Sequence, residues 1–256
     1  MTTALPTWVV LPTYNEADNV GTIVPAILEQ LPNARVLVVD DDSPDGTGRL
    51  ADRLAVADER VRVEHRRRKE GLGRAYLAGF RTALDGGAER IVQMDADWSH
   101  APAYLPRMVA ELEDGADLVI GSRYVAGGGV RNWGFLRRFV SRGGSVFARA
   151  VLRLSPHDLT GGFKAWRREA LAGLPWDELH SGGYVFQIET TFLASRRGAR
   201  IVEVPIVFED RRVGVSKMSR RIIVEALFVV LRLRFEELRG RLAGAARRLA
   251  GRRGRG

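Results

Sequence analysis

The sequence predicts an α/β domain built on a mostly parallel sheet with helices on both faces. Three observations carry that prediction. The first 121 residues alternate short apolar runs with segments of helical periodicity, the order that generates β-α-β units. Each proposed strand runs into polar or Gly/Pro-rich residues, so one rim of the sheet collects the chemistry. A chain of 256 residues is long enough to bury one large core, and with no Cys it offers no disulfide framework, thiol nucleophile or thiolate metal site.

In chain order, Thr7–Leu11 is an apolar, β-rich strand and Asn19–Leu31 has helical periodicity. Val36–Val39 reads as a buried strand, Gly48–Ala57 as a helix, Val61–Glu64 as a strand and Leu72–Leu84 as a helix. Ile91–Met94 is the next strand. Pro102–Leu112 is a helix with Pro in its first turn, as helix starts prefer, and Leu118–Gly121 closes the series. The second half is less regular. Leu136–Leu154 and Val185–Arg196 read as helices, Asp158–Phe163 as a Gly-containing loop, and Arg200–Phe208 as two strands broken by Pro205. Met218–Arg239 reads as one long amphipathic helix, with Arg221, Glu225, Arg232, Glu236 and Arg239 on one stripe. Its apolar run falls short of the ~20 residues a bilayer span needs, so it suits a membrane interface, a partner, or its own domain.

The main body, residues 1–216, balances at 28 basic and 28 acidic residues. Residues 217–256 hold 12 basic and 3 acidic, which accounts for the whole net charge of +9. Such a tail is drawn to an anionic surface or serves as a solubilising extension. Met1 to Pro6 lacks the pattern of a secretory leader, so residence in the cytoplasm is expected.

The richest chemistry lies at the proposed strand ends. Asp95-Ala96-Asp97 directly follows Ile91–Met94. Two carboxylates two residues apart suit a hard divalent cation shared with a substrate's phosphates, though solvated loop acids or helix caps share that pattern. Pro12-Thr13-Tyr14-Asn15-Glu16 leaves the first strand, where Tyr14 can stack on a base and Glu16 can accept hydrogen bonds from base or ribose. Asn15 or Glu16 would otherwise cap the helix that follows. The second strand ends in Asp40-Asp41-Asp42-Ser43-Pro44-Asp45-Gly46. Asp45-Gly46 is a turn signal and assigns Asp45 a structural role, which leaves Asp40 and Asp41 to read the base. No G-x-G-x-x-G follows the first strand and no Walker lysine motif occurs, which argues against dinucleotide and P-loop sites.

Taken in order, P-T-Y-N-E, V-V-D-D-D-S-P-D-G-T, M-D-A-D-W-S-H, I-G-S-R-Y, D-L-T-G-G-F and G-Y-V-F-Q-I-E resemble the polyprenyl-phosphate (dolichyl-phosphate) mannose synthases, a branch of the family 2 glycosyltransferases. The match runs from about Val9 to about Lys217. The resemblance implies a GT-A fold over 1–217; beyond it the residue pattern itself reads as an amphipathic helix over 218–240 facing membrane or partner and a basic, flexible tail over 241–256, a departure from family members that carry C-terminal spanning helices. It implies GDP-mannose as donor and a polyprenyl phosphate as acceptor, with inversion at the anomeric carbon and dependence on Mg²⁺ or Mn²⁺. Pro12, Tyr14, Glu16 and Asp40 or Asp41 would line the guanosine site. Asp95 and Asp97 would hold the metal against the donor diphosphate beside Ala96. Ser99, a poorer ligand, stands where some relatives carry a Gln that touches the metal.

Positive charge must surround the leaving diphosphate and the incoming phosphate. Arg123 lies just past a strand end, and Arg137 lies in a run that can face the acceptor; with Asp97 they form the expected catalytic set. Arg211 and Lys217 match basic positions in a family segment that closes over the site. The acceptor is already anionic, so no Ser-His-Asp arrangement is expected; His100, His157, Asp158, Gln187 and Glu189 are read as structural or orienting residues. Together these expectations describe a peripheral enzyme at the inner face of the membrane, with a membrane-anchoring protein as a plausible partner. Other readings are a synthase for another sugar nucleotide such as UDP-glucose, a nucleic-acid binder built on the Arg-rich tail, or a non-catalytic scaffold. The neutral main body disfavours nucleic acid.

Overall fold

The computed structural model of the protein describes residues 5–176, 179, 183–209, 224 and 226–239. Its main sheet has seven strands in the order β3-β2-β1-β4-β7-β5-β8. These are β1 (Thr7–Thr13), β2 (Arg35–Asp40), β3 (Val61–His65), β4 (Arg90–Gln93), β5 (Leu118–Ser122), β7 (Lys164–Arg167) and β8 (Ile201–Pro205). All neighbouring pairs are parallel except β4–β7 and β5–β7. A separate two-stranded parallel ribbon pairs β6 (Gly129–Arg131) with β9 (Val207–Glu209).

The inner strands are buried on both faces, as their near-continuous apolar runs require, while the edge strands β3 and β8 are only partly buried. Alternation along each strand sorts the core into two layers. Val9, Leu11, Val36, Val38, Val92 and Met94 meet α1 (Ala17–Gln30), α2 (Thr47–Ala57) and α4 (Leu105–Glu113). Trp8, Val10, Leu37, Val39 and Ile91 meet α3 (Leu72–Asp85), α6 (Arg168–Ala172) and α7 (Gly183–Arg196). The expected doubly covered parallel sheet is thus present.

Three features depart from the sequence reading. Strand β7 follows the loop directly and runs antiparallel between β4 and β5; Lys164 interrupts its apolar run and hides it from a periodicity search. The break in the segment 200–208 falls at Ile206, not Pro205. Pro205 ends β8, where a missing N–H costs no ladder bond. Ile206 then turns the chain, donating its N–H to the Ser122 carbonyl (3.0 Å) and accepting from Gly129 (2.9 Å) before β9 begins.

The third concerns the last helix, α8 (226–239); residues 218–223 lie outside the described set. Val229, Val230 and Leu233 pack with Ala148 and Leu152 of α5 (Phe135–Leu152) and with Ile188 and Phe192 of α7. Of the expected charged stripe, Arg232 is turned inward to buried Glu189 (3.3 Å); Glu237, outside that stripe, pairs with Arg196 (2.8 Å). Leu227, Phe228, Leu231, Phe235 and Leu238 are left facing out.

Close approach of α3 to the sheet requires glycine at one point. A Cβ on Gly79 would lie 2.4 Å from Val10 Cγ1 and 2.8 Å from Val39 Cγ2. Gly79→Ala gains helix propensity of about 1 kcal/mol, but overpacking costs about 1–3 kcal/mol. We expect a net loss of stability, read as a lower thermal midpoint.

Candidate active site

The carboxyl edge of the parallel strands gathers most of the residues singled out from sequence. Pro12 lies in the last residues of β1, with Tyr14 and Glu16 after it; Asp40 ends β2 and Asp41 follows; Asp95, Ala96, Asp97 and Ser99 follow β4, and Arg123 follows β5. Three non-glycine residues on this edge, Asn15, Asp42 and Trp98, hold left-handed backbone at φ of 60°, 58° and 63°. For a bulky Trp this conformation is costly, and such strain collects where loops are shaped for binding.

The β1 and β2 loops brace one another. Asp45 accepts from Ala17 N–H (3.0 Å) and from the Thr47 N–H and hydroxyl (2.9 and 2.6 Å), so it serves the starts of both α1 and α2. Its structural role stands; neither Asn15 nor Glu16 caps α1 by side chain. Asp40 accepts from Thr13 Oγ1 (3.0 Å) and from Ser43 N–H and Oγ (3.0 and 2.6 Å). Asp41 pairs with Arg66; burial raises its carboxyl above the ordinary value against the opposing pull of Arg66. Glu16 accepts from Asn19 Nδ2 (2.7 Å), and Lys69 Nζ sits 3.5 Å over the Tyr14 ring. Arg66 and Lys69 were missed from sequence. Their signal was the run Arg66-Arg67-Arg68-Lys69 just beyond β3.

The acid pair is held from several sides. Asp95 accepts from Tyr76 OH (2.9 Å), and its N–H donates to His100 Nδ1 (3.0 Å). Burial, then the charge of Asp95, pushes the Tyr76 phenol well up, so Tyr76 remains a donor. Burial pushes His100 below its ordinary value, which fits a neutral ring accepting at Nδ1; the ring stacks on Phe163 at 4.9 Å. Asp97 accepts from the Ser99 N–H and hydroxyl (3.1 and 2.5 Å). Ser99 therefore orients Asp97. Among the described residues no group of three or more His, Cys, Asp or Glu surrounds a metal position. Two oxygen-donor carboxylates at a cleft edge fit a hard cation that takes its other ligands from phosphate and water.

Beside them, Arg123 is buried in a fork with Asp158 (2.7 Å through both Nε and Nη2) and also donates to Thr160 (2.8 Å). Burial would raise Asp158, but the Arg123 guanidinium holds it below the usual carboxylate range. Asp158 also accepts from Gly161 N–H (3.1 Å), so it does orient the loop 158–162. His157 and Asp158 are fastened to Glu203. Arg137 lies in α5 with its side chain outside the described set, and Arg211 and Lys217 lie outside the described residues.

Two buried polar residues, Gln93 in β4 and Lys164 in β7, also escaped the sequence reading; each was signalled by one polar residue inside an apolar run. Gln93 donates to Gly162 O (2.9 Å) and Gln187 Oε1 (2.8 Å) and accepts from Trp166 Nε1 (3.0 Å). Lys164 Nζ donates to Gln187 O (2.7 Å) and Thr191 Oγ1 (2.8 Å).

This sheet, with an acid pair just past the end of β4 on its carboxyl edge, has the architecture of a GT-A type glycosyltransferase. The chain belongs to the glycosyl transferase family 2, whose pattern it matches over residues 8–174. It is 49% identical over 239 residues to the polyprenol monophosphomannose synthase of Mycolicibacterium smegmatis, covering 91% of this chain and 90% of that relative. It is 46% identical over 237 residues to the undecaprenyl-phosphate mannosyltransferase of Micrococcus luteus, covering 91% and 97%. A solved glucosyl-3-phosphoglycerate synthase from Mycobacterium tuberculosis, in complex with Mn²⁺, UDP and glucosyl-3-phosphoglycerate, matches with a TM-score of 0.63 over 89% of this chain and 80% of that one. At 21% identity that likeness concerns the fold.

Burial lowers the Lys164 ammonium to about 7, and Asp158 opposes the shift only in part. In the unfolded chain this group keeps its proton to its ordinary value of 10.5. Between those limits the unfolded state binds more protons, so stability rises with pH. We expect unfolding titrations to show wild type gaining on Lys164→Met across that window, with a slope difference approaching about 1.4 kcal/mol per pH unit, the limit for one proton.

Proposed function

We propose that this glycosyltransferase moves mannose from GDP-mannose to a polyprenyl phosphate, giving polyprenyl-phosphate mannose with inversion. The observation that carries this reading is near-half identity, over 91% of the chain, to two relatives both named for mannose transfer or synthesis on polyprenyl carriers.

The chain's own residues divide the work as follows. Pro12, Tyr14, Glu16 and the Asp40–Asp41 corner bind the guanosine, with Arg66 and Lys69 completing that wall. Asp95 and Asp97 would hold Mg²⁺ or Mn²⁺, which would supply charge to stabilise the departing diphosphate. Tyr76 and His100 fix Asp95, and Ser99 fixes Asp97, so the carboxylates need no reorganisation when charge develops. Arg123, Arg137, Arg211 and Lys217 supply positive charge around the two phosphates. An acceptor phosphate oxygen attacks the anomeric carbon opposite GDP; the new C–O bond forms as the bond to the diphosphate breaks, and GDP leaves with that electron pair. The attacking oxygen is already anionic, so no side chain has to remove a proton.

The lipid acceptor implies work at a membrane surface. No helix among the described residues is long and apolar enough to cross a bilayer. The outward row Phe228 (67% exposed), Leu231 (55%) and Phe235 (60%) on α8, with Phe139 (67%) on α5, fits shallow insertion into an interface.

Three outcomes test the reading. Purified protein with labelled GDP-mannose, Mg²⁺ or Mn²⁺ and a short polyprenyl phosphate is expected to move label into the organic phase, with UDP-glucose run in parallel. Asp97→Asn is expected to cut that transfer by about a hundredfold or more, on the scale of losing a key electrostatic contact. Phe228→Ser with Leu231→Ser and Phe235→Ser is expected to reduce co-sedimentation with anionic vesicles while leaving turnover of a detergent-dispersed short acceptor intact.

A further inference from the structure

The reading above leaves one buried donor without work. Gln187 is 2% exposed, and its Nε2 has no hydrogen-bond partner among the described residues. The orientation of this amide follows from its neighbours. The Trp166 indole N–H can only donate, so the end of Gln93 that faces it is the oxygen. The NH₂ of Gln93 therefore points the other way, to Gly162 O and Gln187. What Gln187 presents to Gln93 must then be its own oxygen, which leaves its NH₂ as the end without an acceptor. Lys164 fixes the helix at this position by donating to the Gln187 carbonyl (2.7 Å). A donor so buried and so held costs about 1–3 kcal/mol when it lacks an acceptor.

Glycine 162 defines where it points. A Cβ built there would stand 3.5 Å from Gln187 Nε2, 3.5 Å from His100 Cε1 and 3.8 Å from Asp95 Oδ2. The amide, the imidazole and the outer oxygen of the acid pair thus converge on one small space floored by Gly162.

We infer that Gln187 is a sugar-reading residue: its amide N–H donates to a hydroxyl of the transferred hexose, which sits over Gly162 beside Asp95. The inference depends on Asp95 and Asp97 holding the donor diphosphate, as proposed above. The hexose joined to that diphosphate is the part of the donor that reaches this space, whereas the nucleoside lies toward β1 and β2. Gln93, Trp166 and Lys164 act through Gln187 as positioning residues.

Calorimetric binding of GDP-mannose and of GDP, each with Mg²⁺, tests this in two variants. Gln187→Met removes the donor without adding charge, and Gly162→Ala fills the space at ordinary contact distance while leaving the amide chain intact. Each is expected to weaken GDP-mannose about tenfold, the worth of one hydrogen bond of about 1.4 kcal/mol, and to leave GDP unchanged. Among GDP-mannose analogues each lacking one hydroxyl, one deletion should weaken binding to wild type and cause no further loss in Gln187→Met. Equal weakening of GDP and GDP-mannose, or no weakening in either variant, overturns the inference and leaves the donor reading standing. Wild type that binds neither nucleotide overturns both.

Discussion

A carboxylate taken fully out of water must be paired, and the pairing of Asp158 organises this cleft. Arg123 holds it through its backbone N–H and two guanidinium nitrogens, Gly161 donates to it, and Glu203 anchors the two N–H groups on its own side. Removing one member of such a buried pair leaves an uncompensated charge worth about 3–5 kcal/mol. The consequence is geometric as well. The pair ties the end of β5 to the loop that enters β7, and that loop carries Gly162 and Phe163 to the acid pair, where His100 stacks. Arg123 is set in place at the cleft edge by that pair and by packing against Tyr124, Trp133 and Phe208.

The sequence disclosed most of the sheet because its inner strands are buried on both faces and separated by helices of ordinary length. Val36–Val39 and Leu118–Gly121 needed only their apolar runs. The acid pair was legible because D-x-D after such a run places two charges where burial must stop. Strand β7 and the amide chain were not legible for one shared reason. A buried Gln or Lys gains its place from partners far away in sequence: Gln93 meets Gly162 and Trp166, and Lys164 meets Gln187 and Thr191. Local pattern shows such residues only as interruptions. The direction of charge on α8 was hidden likewise, since buried Glu189 on α7 decides where Arg232 turns.

Helix α8 shows how one segment serves two apolar surroundings. Val229, Val230 and Leu233 close a small core against α5 and α7, while Phe228, Leu231 and Phe235 point away from it. Charge is present on the outer side as well: exposed Glu236 pairs with Arg232, and the Arg239 guanidinium lies over the Phe235 ring.

The antiparallel strand β7 bears on how the molecule is made. Strands β1 to β4 lie within the first 93 residues and pair among themselves, whereas the outer edge of β4 waits for residues 164–167. Until these emerge from the ribosome, Ile91 and Val92 present an apolar edge with open backbone groups, the kind of edge that recruits other chains. Insertion of β7 both shields that edge and delivers the 158–163 loop beside Asp95. A nascent chain therefore acquires its cleft in the same event that ends its exposure to aggregation.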